Sequence, residues 1–102
     1  MALLSTDKAR YFNIQYLNSK NSIIPFVGFS NNNLQNRRVL EIGSAEGGVL
    51  KAFAEIGCTC LGIELNPSRV ISANDFLKDE IEAGLIKFSA KNIYDFENHE
   101  LS

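Results

Sequence analysis

The sequence predicts an α/β domain with a parallel β-sheet, and three observations support this prediction. From residue 38 onward, short apolar runs alternate with segments of helical periodicity, as in strands joined by helical crossovers. Glycines stand at the joins between these segments. The chain has 102 residues, of which 45% are hydrophobic and 22% charged, which suits one small folded domain. The expected sheet has three strands, half of a doubly wound sheet.

Residues 1–36 are expected to form an N-terminal helical extension. Apolar and aromatic residues over 6–20 have approximately helical spacing. The next apolar stretch, 23–29, contains a proline and a glycine, so we expect only one or two helical turns there. The Asn-rich tract 30–33 has the composition of a surface loop.

The remaining residues, 37–102, are expected to contain the sheet. The predicted elements are a buried strand over 39–42, a helix over 47–56, a strand over 59–64, a single helix from Pro67 to about Gly84, a strand over 85–89, and a polar connection or helix start over 92–101. Gly57 is expected to end the first of these helices, and Asn66 with Pro67 to begin the second.

Charge and composition exclude several classes of function. Ten Lys and Arg against twelve Asp and Glu give a net charge of −2, and the basic residues cluster only at Arg37 and Arg38. We therefore expect no nucleic-acid partner. No apolar run approaches the length of a membrane span, and the start does not resemble a signal peptide, so a cytoplasmic protein is expected. Cys58 and Cys60 are expected to be buried free thiols, and no metal site is expected.

Small residues fill the turn between the first predicted strand and the following helix. Gly43, Ala45 and Gly47 would let a ligand approach the backbone at the carboxyl end of the strand, where open α/β sheets bind ligands. Glu64 ends the second predicted strand about twenty positions after Gly43, the spacing at which nucleoside-binding folds place a carboxylate for the ribose hydroxyls. An adenosine-containing ligand is therefore expected.

The spacing of the small residues in this turn fits more than one ligand, and the charge of the turn distinguishes between them. Gly43, Ala45 and Gly48 also fit the dinucleotide pattern, but a pyrophosphate there would lie near the carboxylates of Glu41 and Glu46. The same carboxylates favour a ligand with a sulfonium and an ammonium, which describes S-adenosylmethionine. For Glu46 itself we favour the simpler interpretation that its charge stabilises the positive start of the helix.

Three segments, in order, resemble the motifs of class I S-adenosylmethionine-dependent methyltransferases. Residues 39–48 resemble motif I, in which an acidic residue and one further residue precede Gly-x-Gly-x-Gly. Residues 61–67 are similar to the acidic second-strand motif, and residues 88–96 to the third-strand motif. The resemblance covers about residues 38–96 and implies a Rossmann-like sheet. Only the first three strands of that sheet are expected within this chain, with the chain ending before the fourth.

The resemblance also implies which residues bind the cofactor. They are Glu41, Gly43, Ser44, Ala45, Gly47, Glu64, Leu65, Asn92 and Ile93. The turn residues would line the methionine part of S-adenosylmethionine, and Glu41 would contact its ammonium directly or through water. Glu64 would bind the ribose. Leu65 would pack on the adenine face, with Asn92 and Ile93 at the adenine edge.

Two substitutions depart from the family pattern. Ala45 replaces the second motif glycine, and Asn92 stands where an Asp is common. Both changes are expected to weaken cofactor affinity. Because the fourth strand and later segments usually carry the acceptor pocket, no catalytic residue is nominated. The truncation would leave strand 39–42 as an exposed apolar edge, so self-association, or membership in a longer protein, is expected.

The function expected from the sequence is S-adenosylmethionine-dependent methyl transfer, with this chain as the cofactor-binding portion. Two alternatives remain open at this point. One is a fragment of an NAD(P)-binding oxidoreductase, and the other is a non-catalytic nucleoside-binding or interaction module. The methyl acceptor is expected to be a small molecule, because the chain lacks a basic surface.

Overall fold

The computed structural model describes residues 5–28, 36–92 and 94 of the chain. Its strands form one parallel sheet with the order β1-β2-β3. The strands are β1 (Arg38–Ile42), β2 (Thr59–Ile63) and β3 (Ile86–Ser89). The helices are α1 (Ser5–Asn18), α2 (Ile24–Gly28), α3 (Gly48–Glu55), α4 (Pro67–Phe76) and α5 (Lys78–Glu82). The predicted α/β fold, with three parallel strands and an N-terminal helical segment, is confirmed.

A short π-helical segment, Ser19–Ile23, joins α1 to α2. The backbone N–H of Ile24 donates to the carbonyl of Ser19, which is the wide-turn hydrogen bond of a π-helix. Pro25 follows and has no N–H, so regular α-helical bonding cannot continue through it. The buried Ser19 hydroxyl donates to the carbonyl of Val49 at 2.9 Å and thereby connects this segment to α3. The predicted loop 30–33 lies outside the described residues.

Strand β1 lies at the edge of the described sheet. It pairs in parallel with β2, with Arg38 opposite Thr59, and has no second strand partner in the described part of the chain. Its side chains Leu40 and Ile42 are 46% and 63% exposed. The expectation of a buried strand is therefore wrong, because Leu40 and Ile42 lie on one face of the sheet and no described element covers that face at β1. The exposed apolar edge that the family resemblance implied is present.

The helical region after β2 begins as predicted but is not continuous. The Asn66 side chain accepts a hydrogen bond from the backbone N–H of Ser68 at 3.0 Å, and Pro67 occupies the first helical position. The prediction of a single helix is wrong, because Leu77 leaves helical geometry and separates α4 from α5. Its side chain is fully buried in the core. Leucine is a good helix former, so the sequence gives no sign of this break.

The core lies between the sheet and the helices. Its buried members are Phe12, Leu50, Phe53, Ala54, Cys58, Cys60, Leu77 and Ile86. Cys58 and Cys60 are both buried, as predicted. Burial raises the pKa of the Cys60 thiol to about 12, and electrostatic repulsion from Cys58 and Glu41 contributes less to this rise. Among the described residues, no helix has the length and apolar character needed to cross a bilayer.

Candidate functional site

The turn between β1 and α3 lies at the edge of the sheet where the parallel strands end. Three of its residues have positive φ: Gly43 at 74°, Ala45 at 51° and Gly47 at 87°. The backbone N–H groups of Gly43 and Ser44 both donate to the carbonyl of Ile63, at 2.7 and 3.2 Å. These bonds hold the turn against the end of β2, so the residues that follow both strands are brought together.

The two turn glycines have different surroundings. A Cβ on Gly47 would overlap the ring of Phe88 and lie 2.8 Å from Cδ1 of Leu77. Gly47 is therefore required by packing beneath the turn. A Cβ on Gly43 would have no atom within 4 Å. Gly43 is the turn residue that leaves open space beside the backbone, as a ligand-binding turn requires.

Glu64 connects the turn to the residues that follow β2. Its Oε1 accepts from the backbone N–H of Ala45 at 2.8 Å, and its Oε2 accepts from the N–H of Asn66 at 3.1 Å. Each carboxylate oxygen can accept a further hydrogen bond. Glu64 therefore supports the turn and still has acceptor capacity for a pair of hydroxyl groups.

Glu41 adds a second, half-buried carboxyl group near Glu64. Its Oε1 is buried and has no hydrogen-bond partner in the described part of the chain. Burial, and secondarily the negative charge of Glu64, raise the pKa of Glu41 to about 7. A cation bound beside Glu41 would favour its ionised form. The site is therefore suited to a positively charged ligand.

The turn residues after Gly43 are buried, whereas a ligand-binding loop is ordinarily exposed. Ser44 and Glu46 are 0% exposed, and Ala45 and Gly47 are also buried. Helix α1 contributes to this enclosure, since a Cβ on Gly48 would overlap the carbonyl oxygen of Phe12. Contact between a ligand and the backbone of Ser44, Ala45 and Gly47 stays a prediction.

Glu46 was not among the predicted cofactor-binding residues, and its environment was not foreseen. Gly47 is the N-cap of α3 and provides no side-chain cap. Neither carboxylate oxygen of Glu46 has a hydrogen-bond partner among the described residues. An acidic residue at a helix start is ordinarily expected to be solvated, so the sequence contained no signal for this burial.

The structure places two of the three residues predicted to bind adenine at its surface. Leu65 directly follows the Glu64 carboxylate and is 59% exposed, which leaves an apolar surface for an aromatic base. Asn92 is exposed, and its Oδ1 accepts from the backbone N–H of Tyr94 at 3.0 Å, so it stabilises a local turn. Ile93 lies outside the described residues. The contacts of Asn92 and Ile93 with adenine stay predictions.

Comparison of the fold with solved structures identifies its architecture. A magnesium protoporphyrin IX methyltransferase from Synechocystis PCC 6803, with bound S-adenosylhomocysteine, matches 95% of this chain with a TM-score of 0.67 and 13% identity. An RNA methyltransferase from Salinibacter ruber, in complex with S-adenosylhomocysteine, matches 74% with a TM-score of 0.60 and 18% identity. The chain has the class I methyltransferase fold.

This chain spans only part of the length of these methyltransferase structures. This chain spans 43% of the Synechocystis protein and 50% of the Salinibacter protein. The plantazolicin methyltransferase BpumL, also in complex with S-adenosylhomocysteine, is matched over 93% of this chain and 33% of its own length, with a TM-score of 0.55 and 16% identity. No protein-family model matches the sequence, and no curated protein matches it.

Proposed function

We propose that this chain is the cofactor-binding part of an S-adenosylmethionine-dependent methyltransferase. The observation that carries the proposal is the edge of the sheet where open space beside Gly43 adjoins the carboxylates of Glu41 and Glu64. The fold supports it, since solved structures with this architecture include methyltransferases bound to S-adenosylhomocysteine.

The described residues fit this cofactor. Glu64 has the acceptor capacity to bind both ribose hydroxyls, and exposed Leu65 gives adenine an apolar surface. Glu41, with its unpartnered oxygen, favours a cation in the same region. When bound, S-adenosylmethionine supplies a methyl group activated by the positive sulfur. The role of this chain is to bind that cofactor and orient it.

The alternative of an NAD(P)-dependent oxidoreductase is less compatible with the charges at this site. A dinucleotide would bring a pyrophosphate to a turn flanked by Glu41 and containing the buried carboxylate of Glu46. The negative pyrophosphate and the carboxylates would repel each other, because the turn is partly shielded from water. A non-catalytic nucleoside-binding module would use the same pocket, so cofactor binding alone does not distinguish it from a methyltransferase. Detected transfer of a methyl group to an acceptor would distinguish them.

The direct test is calorimetric titration of the purified chain with S-adenosylmethionine, S-adenosylhomocysteine and NAD. We expect saturable binding of the first two ligands and none of NAD. The Glu64→Gln variant should bind S-adenosylhomocysteine about tenfold more weakly, because one charge-assisted acceptor for the ribose is lost. Glu82→Gln, on the exposed surface of α5, is the matched control and should bind like the unaltered chain. Binding of NAD, or an unchanged affinity in Glu64→Gln, would contradict the proposal.

We further assign the methyl acceptor to the class of small molecules and the protein to the cytoplasm. The net charge of −2 and the absence of basic clusters in the sequence beyond Arg37 and Arg38 make a polyanionic acceptor unfavourable. Two buried cysteine thiols fit a reducing compartment. Methyl-transfer assays with radiolabelled cofactor against small-molecule and RNA pools would test the acceptor class, and transfer to RNA would contradict it.

The edge of β1 supports a proposal of self-association. Unpaired backbone groups on an edge strand can hydrogen-bond to another strand, and the exposed Leu40 and Ile42 add apolar area to the contact. Sedimentation velocity over a concentration series should show dimers or larger species. A monomer at all concentrations would count against this assignment.

A further inference from the structure

The aromatic ring of Phe88 in β3 lies beneath the turn after β1. A Cβ on Gly47 would overlap Cζ of this ring and lie 3.0 Å from its Cε1. Strand β2 separates β1 from β3 in the sheet, so the ring extends across β2 to reach the turn. Phe88 therefore links the third strand directly to the turn that follows the first.

Gly62 in β2 leaves the space that the ring of Phe88 occupies. The two residues are neighbours in the parallel pairing of β2 with β3, and a Cβ on Gly62 would lie 2.7 Å from both Cδ1 and Cε1 of the ring. Gly62 has no positive φ, so its backbone conformation does not require glycine. What this glycine provides is room for the ring between β2 and the turn.

The Ser44 side chain of the turn meets β2 at the same point. A Cβ on Gly62 would also lie 2.7 Å from the Ser44 Oγ, so this hydroxyl and the Phe88 ring lie side by side over Gly62. Ser44 is fully buried there. The turn thus rests on β2 through Ser44 and on the ring through Gly47. Because buried groups are close-packed, the size of the ring sets how closely the turn approaches the sheet.

The end of β3 also holds Glu64, which accepts a hydrogen bond from the turn. The backbone N–H of Glu64 donates to the carbonyl of Ser89, the residue after Phe88, at 2.9 Å. The Glu64 Oε1 accepts from the N–H of Ala45 at 2.8 Å. Both partners of this second bond are therefore positioned from β3, one through the ring of Phe88 and the other through the carbonyl of Ser89.

We infer that Phe88 is a positioning residue for cofactor binding, which acts on Glu64 through the turn. Its ring holds the turn where the N–H of Ala45 meets the Glu64 carboxylate, and this hydrogen bond orients the carboxylate for the ribose hydroxyls. The inference rests on the proposed function, which assigns the ribose to Glu64. Phe88 needs no contact with the cofactor for this role. A displacement of about 1 Å in such a support is enough to weaken a binding geometry severalfold or more.

The experiment replaces one phenylalanine beneath the turn and another in the core, and titrates each variant with S-adenosylhomocysteine. Leucine at position 88 lacks the outer ring atoms that lie against Gly47, so Phe88→Leu should bind about tenfold more weakly. Phe53→Leu is the matched control, because Phe53 is a buried core residue of α3. It should lower the melting temperature to a similar extent and leave the affinity within about twofold. Circular dichroism establishes a temperature at which each variant is folded.

A double-mutant cycle tests whether Phe88 acts through Glu64. Once the Glu64 carboxylate has been replaced, its orientation no longer matters. In the Glu64→Gln background, Phe88→Leu should therefore lower the affinity by less than about threefold instead of about tenfold. A residue that serves only the stability of the fold would show no such coupling. Losses that simply multiply would overturn the assignment, because they would show that Phe88 and Glu64 act independently.

A third variant restores reach without restoring the ring. The unbranched side chain of methionine can extend toward Gly47 and fill irregular space, so Phe88→Met should bind within about threefold of the unaltered chain. If Phe88→Leu does not fold, Phe88→Met is compared with Phe53→Met in its place. The expected result is then a loss of about threefold at position 88 and no loss at position 53.

The outcomes separate this inference from the proposed function. If the unaltered chain does not bind S-adenosylhomocysteine, the proposed function fails and the inference fails with it. If the unaltered chain binds and the variants at position 88 bind equally well, the assignment of Phe88 alone is overturned. Equal losses of affinity at positions 88 and 53 would overturn it as well, because they would reflect general destabilisation of the fold.

Discussion

The hydrophobic core and the turn after β1 bury side chains of opposite kinds. The core buries Leu50, Cys58 and Leu77, which are apolar or weakly polar and gain stability from leaving water. The turn buries the Ser44 hydroxyl and the Glu46 carboxylate, whose oxygens lack partners among the described residues. Folding favours the first arrangement and opposes the second. The difference teaches that the core specifies the fold, whereas the turn carries features that folding alone does not explain.

Gly47 belongs to both regions, and replacing it should give the largest effect. In Gly47→Ala the new methyl group would overlap Phe88 and approach Leu77, and the φ of 87° is unfavourable for alanine. We expect a loss of about 3 kcal/mol in the free energy of unfolding, from overpacking and backbone strain together. Urea denaturation followed by circular dichroism measures it.

Gly43→Ala is the matched control for that experiment. Its φ is also positive, at 74°, but a Cβ there meets nothing within 4 Å. Only the strain of the positive φ remains, so the expected loss in the free energy of unfolding is about 1 kcal/mol. Equal losses for Gly43→Ala and Gly47→Ala would show that packing against Phe88 does not constrain the turn.

The pH dependence of the free energy of unfolding tests how strongly the turn shields the Glu41 carboxyl group from water. Because its pKa is raised from 4.5 to about 7 in the folded protein, the folded state holds a proton that the unfolded state has lost. The contribution of Glu41 to stability should therefore be highest below pH 4.5 and decline as pH rises toward 7. After allowance for its partial solvation, we expect a decline of about 2 kcal/mol.

The Glu41→Gln variant isolates this contribution. Its free energy of unfolding, measured by urea denaturation at several pH values, should lack the decline between pH 4.5 and 7 that the unaltered chain shows. Parallel profiles for the two proteins would mean that Glu41 titrates normally. The turn would then be more open to water than its burial indicates.

Ala45 should give the smallest effect, and one of opposite sign. A non-glycine residue with a φ of 51° is strained, and glycine relieves the strain at some entropic cost in the unfolded chain. Ala45→Gly should stabilise the protein by about 0.5 kcal/mol. Asn36→Gly, at a φ of 68°, is the comparison, and its gain should be smaller because asparagine tolerates this conformation. A destabilised Ala45→Gly would show that the buried methyl group contributes more than the strain removes.

Much of the fold could be predicted because local patterns carry it. The alternation of apolar runs and helical segments predicted the parallel sheet, and Asn66 with Pro67 predicted the start of α4. The helix break at Leu77, a residue buried in the core, could not be predicted, because leucine is a good helix former and no proline or glycine marks the position. The exposure of β1 depends equally on which strands lie beside it, which its own residues do not encode.

The sequence by itself determined the turn, its glycines and the carboxylates near it, because strand ends, small residues and spacing are local properties. Only the tertiary structure decided how those groups are arranged. It placed the Glu64 carboxylate on the N–H of Ala45, left open space beside Gly43 and closed it at Gly47. It also buried Glu46 without a partner among the described residues. Burial and hydrogen-bond partners depend on distant segments that meet only when the chain folds.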